Sequence, residues 1–180
     1  RSHYTNKKIS YHEAGHALVA TLLNHKVSKV SICSQGNTGG ITLLNYQRSD
    51  DLLHSRRELE EDIQISFAGC LAEELVFGRD EVFPEGASSD IERSNKTARN
   101  MIYKWGMGNG PLNGVTLDSS CSETTKQQFD SEVNFLISSN RKKSLYLLEK
   151  NRGKLDKIAE ELLLHETIDG KEVEKIVASN

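Results

Sequence analysis

Apolar positions follow a helical period over most of this chain and a strand period in only one short interval. Between about Lys8 and Asn24, the residues Ile9, Ala17, Leu18, Val19, Leu22 and Leu23 fit a helix with one buried side. "VSKVSIC" and "ITLLNY" then read as two short strands, with Val30 and Ile32 alternating against Lys29 and Ser31. The glycine-bearing "SQGNTGG" between them reads as a hairpin loop. After the polar "QRSDDLLH", Ser55 and Glu58 have capping-box spacing. Leu59, Ile63, Phe67, Leu71 and Leu75 then recur every four residues up to a stop near Gly78.

"FPEGASSD" reads as a connecting loop into a third helix, opened by a capping box of Ser89 and Glu92. Ile91, Ala98, Met101, Ile102 and Trp105 form its apolar side, with Trp105 and Met101 expected in the core. "GMGNGPLNG" breaks the pattern. From Cys121 the chain is helical again, with Phe129, Val133, Leu136, Leu147 and Leu148 marking one stretch and Leu155, Ile158, Leu162 and Leu163 another. A last short helix starts at Asp169, capped through Glu172. These elements predict a mainly α fold with one small sheet.

Composition narrows the chemistry. With 180 residues the chain is long enough for one domain with a proper core, and its net charge of -3 argues against a nucleic-acid binder. Cys33, Cys70 and Cys121 are scattered and form no C-x-x-C pair, which excludes a zinc ribbon or a disulfide framework and suits a reducing compartment. The longest apolar run, "ALVATLL", is too short to span a bilayer, and no signal peptide is recognisable. The sequence opens on Arg1 rather than methionine, so it is expected to be a piece of a longer protein.

Chemistry enters with "YHEAGH", which places His12, Glu13 and His16 in the pattern H-E-x-x-H on the first helix. Residues four apart on a helix lie one above the other, so His12 and His16 can turn imidazole nitrogens toward one ion. Glu13, on a neighbouring edge, can contact a zinc-bound water and take its proton as the water attacks a carbonyl. Gly15 in mid-helix costs about 1 kcal/mol relative to alanine. A close approach by another backbone or by a substrate would explain it.

A hydrolytic zinc takes three protein ligands and leaves one position open. No third histidine follows at H-E-x-x-H-x-x-G-x-x-H spacing, because Leu22 and Leu23 occupy that region. The third ligand therefore comes from elsewhere, and carboxylates are plentiful. Asp90, expected in the first turn of the third helix, is one candidate, but an acid there also simply complements the helix dipole. Glu73 and Glu74 are read as capping or packing residues, one of them a potential partner for a ligand histidine. His3, His25, His54 and His165 lack metal spacing and read as surface residues.

Three segments taken together, "KKISYHEAGHALVA", "AGCLAEELVFG" and "GASSDIERSNKTARNMIYKWGM", resemble the peptidase domain of FtsH-type ATP-dependent zinc metalloproteases. The closing "HETIDGKEVEKIV" is similar to that family's C-terminal end, so the resemblance covers nearly the whole chain. It implies a zincin-like, mainly α domain over residues 1–180, with an active-site part over about 1–110 and a helical C-terminal bundle over about 120–180. It implies Asp90 as the third zinc ligand beside His12 and His16, with one zinc per chain. It also implies a membrane-anchored, hexameric parent whose ATPase domain consumes ATP and delivers unfolded or membrane proteins to this soluble domain, on the cytoplasmic or organelle-interior side. No G-x-x-x-x-G-K-[ST] phosphate loop occurs in this sequence, so the ATPase is expected elsewhere in the parent. The strand pair is then expected to bind substrate, with an extended peptide adding along Gly39, Gly40, Ile41 and Thr42.

The chain departs from the family where "GCLAEEL" carries Cys70 and Leu71 in place of a usual basic residue, and in shorter segments after the first helix and after "GPLNGV". These departures bear on substrate contacts and subunit packing rather than on the metal ligands. Two rival readings exist. Peptide deformylases also combine H-E-x-x-H with a G-C-L segment, but theirs precedes the histidines and here it follows them in a helical pattern. A non-catalytic scaffold would have no need of Glu13.

Overall fold

The computed structural model describes residues 1–34, 39–44 and 53–180. Residues 35–38 of the expected hairpin loop, the end of the second expected strand and most of "QRSDDLLH" lie outside the described residues. Among the described residues the fold has six α-helices around one three-stranded antiparallel sheet.

Helix α1 runs from His3 to Leu22 and starts earlier than its apolar pattern, because Ser2 caps it by accepting from the Thr5 N–H. It was expected to bury one side. Instead nearly its whole circumference between Lys8 and Ala20 is buried. The reason is its position: α2 (Arg56–Phe77) covers one flank, while α5 (Arg152–His165), the sheet and α6 (Gly170–Ala178) cover the rest. Gly15 sits at the closest point, where a Cβ would collide with the Ala68 carbonyl and the Ala72 side chain of α2. The close approach that this glycine suggested is therefore to the backbone of another helix.

Ser55 caps α2 by accepting from Glu58 N–H, and Asp169 caps α6 by accepting from Glu172 N–H at 2.8 Å, both at the expected positions. Helix α4 (Glu123–Lys150) packs on α2 through a buried polar seam. There Gln64 Nε2 donates to Asn140 Oδ1 at 2.9 Å and Ser144 Oγ donates to the Gln64 carbonyl at 2.7 Å. Such a seam is invisible to hydrophobic periodicity.

Strand β1 (Val27–Ser31) is central in the order β2-β1-β3, pairing with β2 (Ile41–Leu44) on one side and β3 (Thr167–Asp169) on the other. Val30 faces Thr42 across one ladder and Ile168 across the other. The third strand was not expected from the sequence, being three residues between two helices. Its arrival explains Ser31, which was read as the polar side of β1 but is buried, its hydroxyl 2.8 Å from Thr167 Oγ1.

Helix α3 (Pro84–Arg99) departs most from expectation. It begins five residues before the Ser89–Glu92 box, because Pro84 is well suited to the first helical position and Glu85 complements the N-terminal dipole. Asp90 is therefore one turn inside the helix rather than in its first turn. A π-helical turn, Asn100–Lys104, then follows, with Trp105 N–H donating to the Asn100 carbonyl. The extra residue rotates Trp105 off the apolar stripe, so it is 52 % exposed rather than in the core; Ile91 is exposed as well.

Candidate metal centre

The H-E-x-x-H turn lies in the middle of α1, under the start of α3 and across from α2. Small buried residues, Ala87, Ser94 and Ala98, let α3 settle close over α2, and Arg93 pairs with Asp62 of α2 at 2.8 Å. That seating points Asp90 back at the histidines. Asp90 Oδ2 is 3.2 Å from His12 Nε2 and 3.1 Å from His16 Nε2, and the two nitrogens are 3.1 Å apart.

Hydrogen bonds on the far side of each ring set the tautomers. His16 Nδ1–H donates to the Ile65 carbonyl at 2.7 Å, and His12 Nδ1–H donates to Glu73 Oε2 at 2.7 Å. In neutral imidazoles so arranged, both Nε2 atoms present lone pairs. Two lone pairs and a carboxylate oxygen then converge on one point. A metal cation at that point would satisfy all three. A tetrahedral ion with bonds of about 2.0–2.1 Å holds its ligand atoms about 3.3 Å apart, close to the spacing these three atoms already have.

The charges point the same way. Burial works against a charged imidazole at His12, but hydrogen bonds to the Asp90 and Glu73 carboxylates outweigh it and push its pKa up to about 10, so with no metal bound His12 carries a second proton, which an ion taking its Nε2 would displace. Burial would raise Asp90, yet its bonds to His12 and His16 hold it well below the usual carboxylate range. The cluster attracts positive charge to the point between the three ligand atoms.

Space for an ion depends on a residue the sequence reading passed over. A Cβ at Gly69 of α2 would stand 2.6 Å from His12 Nε2 and collide with His16 Nε2. The signal was present in the sequence: a second mid-helix glycine, as costly there as Gly15. Glu73 is likewise resolved from its neighbour. It is 1 % exposed and orients His12, whereas Glu74 pairs with Arg141 of α4 at 2.8 Å. Among the other histidines, His25 is half-buried against Glu61 at 2.6 Å, while His3, His54 and His165 are exposed as expected.

Glu13 is buried beside this cluster and lines the same cleft, of about 490 Å³, as Gly39, Gly40, Ile41 and Thr42. Thr42, on that wall of the cleft, also donates its hydroxyl to Glu13 Oε2 at 2.6 Å. The arrangement brings together three converging atoms that could hold a cation, a carboxylate next to them and an edge strand along one wall. Cys70, buried in α2, does not reach the ligand triangle; its Sγ donates to the Phe67 carbonyl.

Comparison with known proteins agrees with this geometry. Residues 1–176 match peptidase family M41. The chain is 35 % identical to the ATP-dependent zinc metalloprotease FtsH 3 of Synechocystis sp., over 96 % of this chain and 31 % of that protein. It is 35 % identical to an ATP-dependent zinc metalloprotease FtsH of Synechococcus sp., over 94 % of this chain and 29 % of the relative. For the FtsH of Magnetococcus marinus the values are 36 %, 96 % and 27 %. The chain thus spans about a third or less of the length of the curated relatives it matches. The deformylase reading falls here, since its echo, "AGCLAEEL", lies within α2 of an M41 match. On this match, the chain belongs to peptidase family M41.

Proposed function

We propose that this domain cleaves peptide bonds of unfolded or membrane protein chains at a zinc ion held by His12, His16 and Asp90, with Glu13 as general base. The observation that carries the reading is the triangle of His12 Nε2, His16 Nε2 and Asp90 Oδ2, 3.1–3.2 Å on each side. Zinc, when bound, supplies a Lewis acid that acidifies water and polarises a carbonyl at neutral pH. Glu13 takes the proton of the attacking water and passes it to the leaving amine. Glu73 and the Ile65 carbonyl hold the two imidazoles in the tautomer that ligation needs.

Substrate enters along β2. Among the described residues that strand lies at the edge of the sheet, so its outer backbone groups can pair with an extended peptide, and main-chain pairing tolerates many sequences. Gly39, Gly40, Ile41 and Thr42 line this wall of the cleft. In the parent protein an ATPase domain unfolds and delivers the substrate, within a membrane-anchored hexamer whose peptidase domains face the cytoplasm or an organelle interior. Support for the ATP-driven part comes from relatives named ATP-dependent that are about three times longer than this chain. No helix among the described residues is long and apolar enough to cross a membrane.

Replacing Glu13 with Gln separates ligation from catalysis. The variant should keep about one zinc per chain and lose hydrolysis of an unfolded protein substrate in the intact parent. Hydrolysis that survived would remove Glu13 from the base role.

A further inference from the structure

Lys8 lies one helical turn before His12 on α1 and is only 2 % exposed. A buried ammonium needs compensation. Its Nζ stands 3.8 Å over the Phe83 ring centroid, 5.3 Å from the Tyr4 ring and 3.6 Å from Glu81 Oε2. The Glu81 side chain is 54 % exposed, so that ion pair faces water and is weak. The closest desolvated contact is the face of Phe83.

Phe83 is where two supports of the metal centre meet. Its backbone N–H donates to Glu73 Oε1 at 3.2 Å, and Glu73 Oε2 accepts from His12 Nδ1–H. Its carbonyl accepts from Ala87 N–H in the first turn of α3, the helix that carries Asp90. No side chain caps that helix end. The start of α3 is held by Phe83 itself, and Phe83 is held by its N–H bond to Glu73 and by the Lys8 ammonium over its ring.

We propose that Lys8 is a positioning residue of the metal centre. By seating the Phe83 ring it keeps the Phe83 N–H on Glu73 and fixes the start of α3, and so aims His12 and Asp90. The inference rests on the proposed metal site, and it assigns a role to a buried charge that hydrolysis itself does not use.

The test is the zinc dissociation constant, measured by competition with a chromophoric chelator, for the parent domain, Lys8→Met, Lys8→Arg and Phe83→Leu. Lys8→Met should bind zinc about 10-fold or more weakly, as loss of an outer support of a ligand histidine does. Lys8→Arg, whose guanidinium also stacks on a ring, should stay within about threefold of the parent. Phe83→Leu should match Lys8→Met, and the double variant should be no weaker than either alone. Lys8→Met with the parent's affinity overturns the proposal, whatever its melting temperature; if that variant does not fold, Phe83→Leu is judged by the same criterion. A parent that binds no zinc would remove the metal reading, and the His12 Nδ1 proton of the metal-free domain then decides alone. Its NMR signal, protected from exchange in the parent and lost in Lys8→Met, supports positioning. Absent from the parent or unchanged in the variant, it overturns it.

Discussion

Thr42 Oγ1 donates to Glu13 Oε2 at 2.6 Å, linking the edge strand of the sheet to the buried carboxylate beside the proposed metal site. One oxygen of Glu13 is thereby occupied and the carboxylate plane is fixed, leaving the other oxygen for the proposed proton transfer. Thr42→Val, nearly the same shape without the hydroxyl, should lower kcat by about 10-fold, the effect expected from one lost hydrogen bond to a charged group. Zinc content should not change, and Thr42→Ser should recover most of the rate. Steady-state peptide hydrolysis by the intact parent, with zinc analysis alongside, checks all three.

Gly69 gives a sharper separation of fold from site. Alanine is the better helix former by about 1 kcal/mol, so on propensity alone Gly69→Ala would not destabilise α2. Its methyl group, however, would occupy the space in front of His12 Nε2 and His16 Nε2. The variant should retain the helical circular dichroism of the parent and lose most of its bound zinc. Full zinc occupancy in Gly69→Ala would contradict the geometry assigned to the centre.

What the sequence made legible was whatever a local pattern encodes. His12 and His16 are one helical turn apart, so their convergence needs only α1 to be a helix. The caps at Ser55 and Asp169 are equally local. Asp90 is 74 residues from His16, and its approach depends on where α3 begins and how closely it seats on α2. Neither was readable from the Ser89–Glu92 spacing, which lost to Pro84 as a helix start. Trp105 was misplaced because a π-helical turn shifts the phase of an otherwise regular stripe. The partners of Glu73, Thr42 and Lys8 are all fixed by tertiary contact.

Tyr11 ties α1 to α5 through its hydroxyl, which donates to Asp156 Oδ1 at 2.7 Å. Burial, and then the Asp156 carboxylate, push the phenol up to about 12 from an ordinary value near 10. A raised folded pKa means the contribution is whole below about pH 10 and is lost as pH rises through about 12. Urea midpoints measured from pH 9 to 12 should fall across that window. Tyr11→Phe should start lower, by about 1 kcal/mol for the lost hydrogen bond, and should lack this component of the pH dependence.

The cysteines should differ in reactivity. Cys33 is exposed, whereas Cys70 is buried and its thiol is pushed up to about 11, by burial first and then by the carboxylates of Asp90 and Glu73. Since the thiolate is the reactive form, an alkylating reagent at pH 8 should modify Cys33 in the native domain and reach Cys70 only after unfolding. Peptide mass mapping after timed labelling reads this directly.

The central claim is that His12, His16 and Asp90 together hold one zinc ion. Zinc per chain, measured by elemental analysis for the purified domain and its Asp90→Ala variant side by side, tests it without requiring the ATPase. About one zinc per chain, falling strongly in the variant, is the predicted result. Zinc unchanged in Asp90→Ala, or none in the parent after zinc is added back, would contradict it.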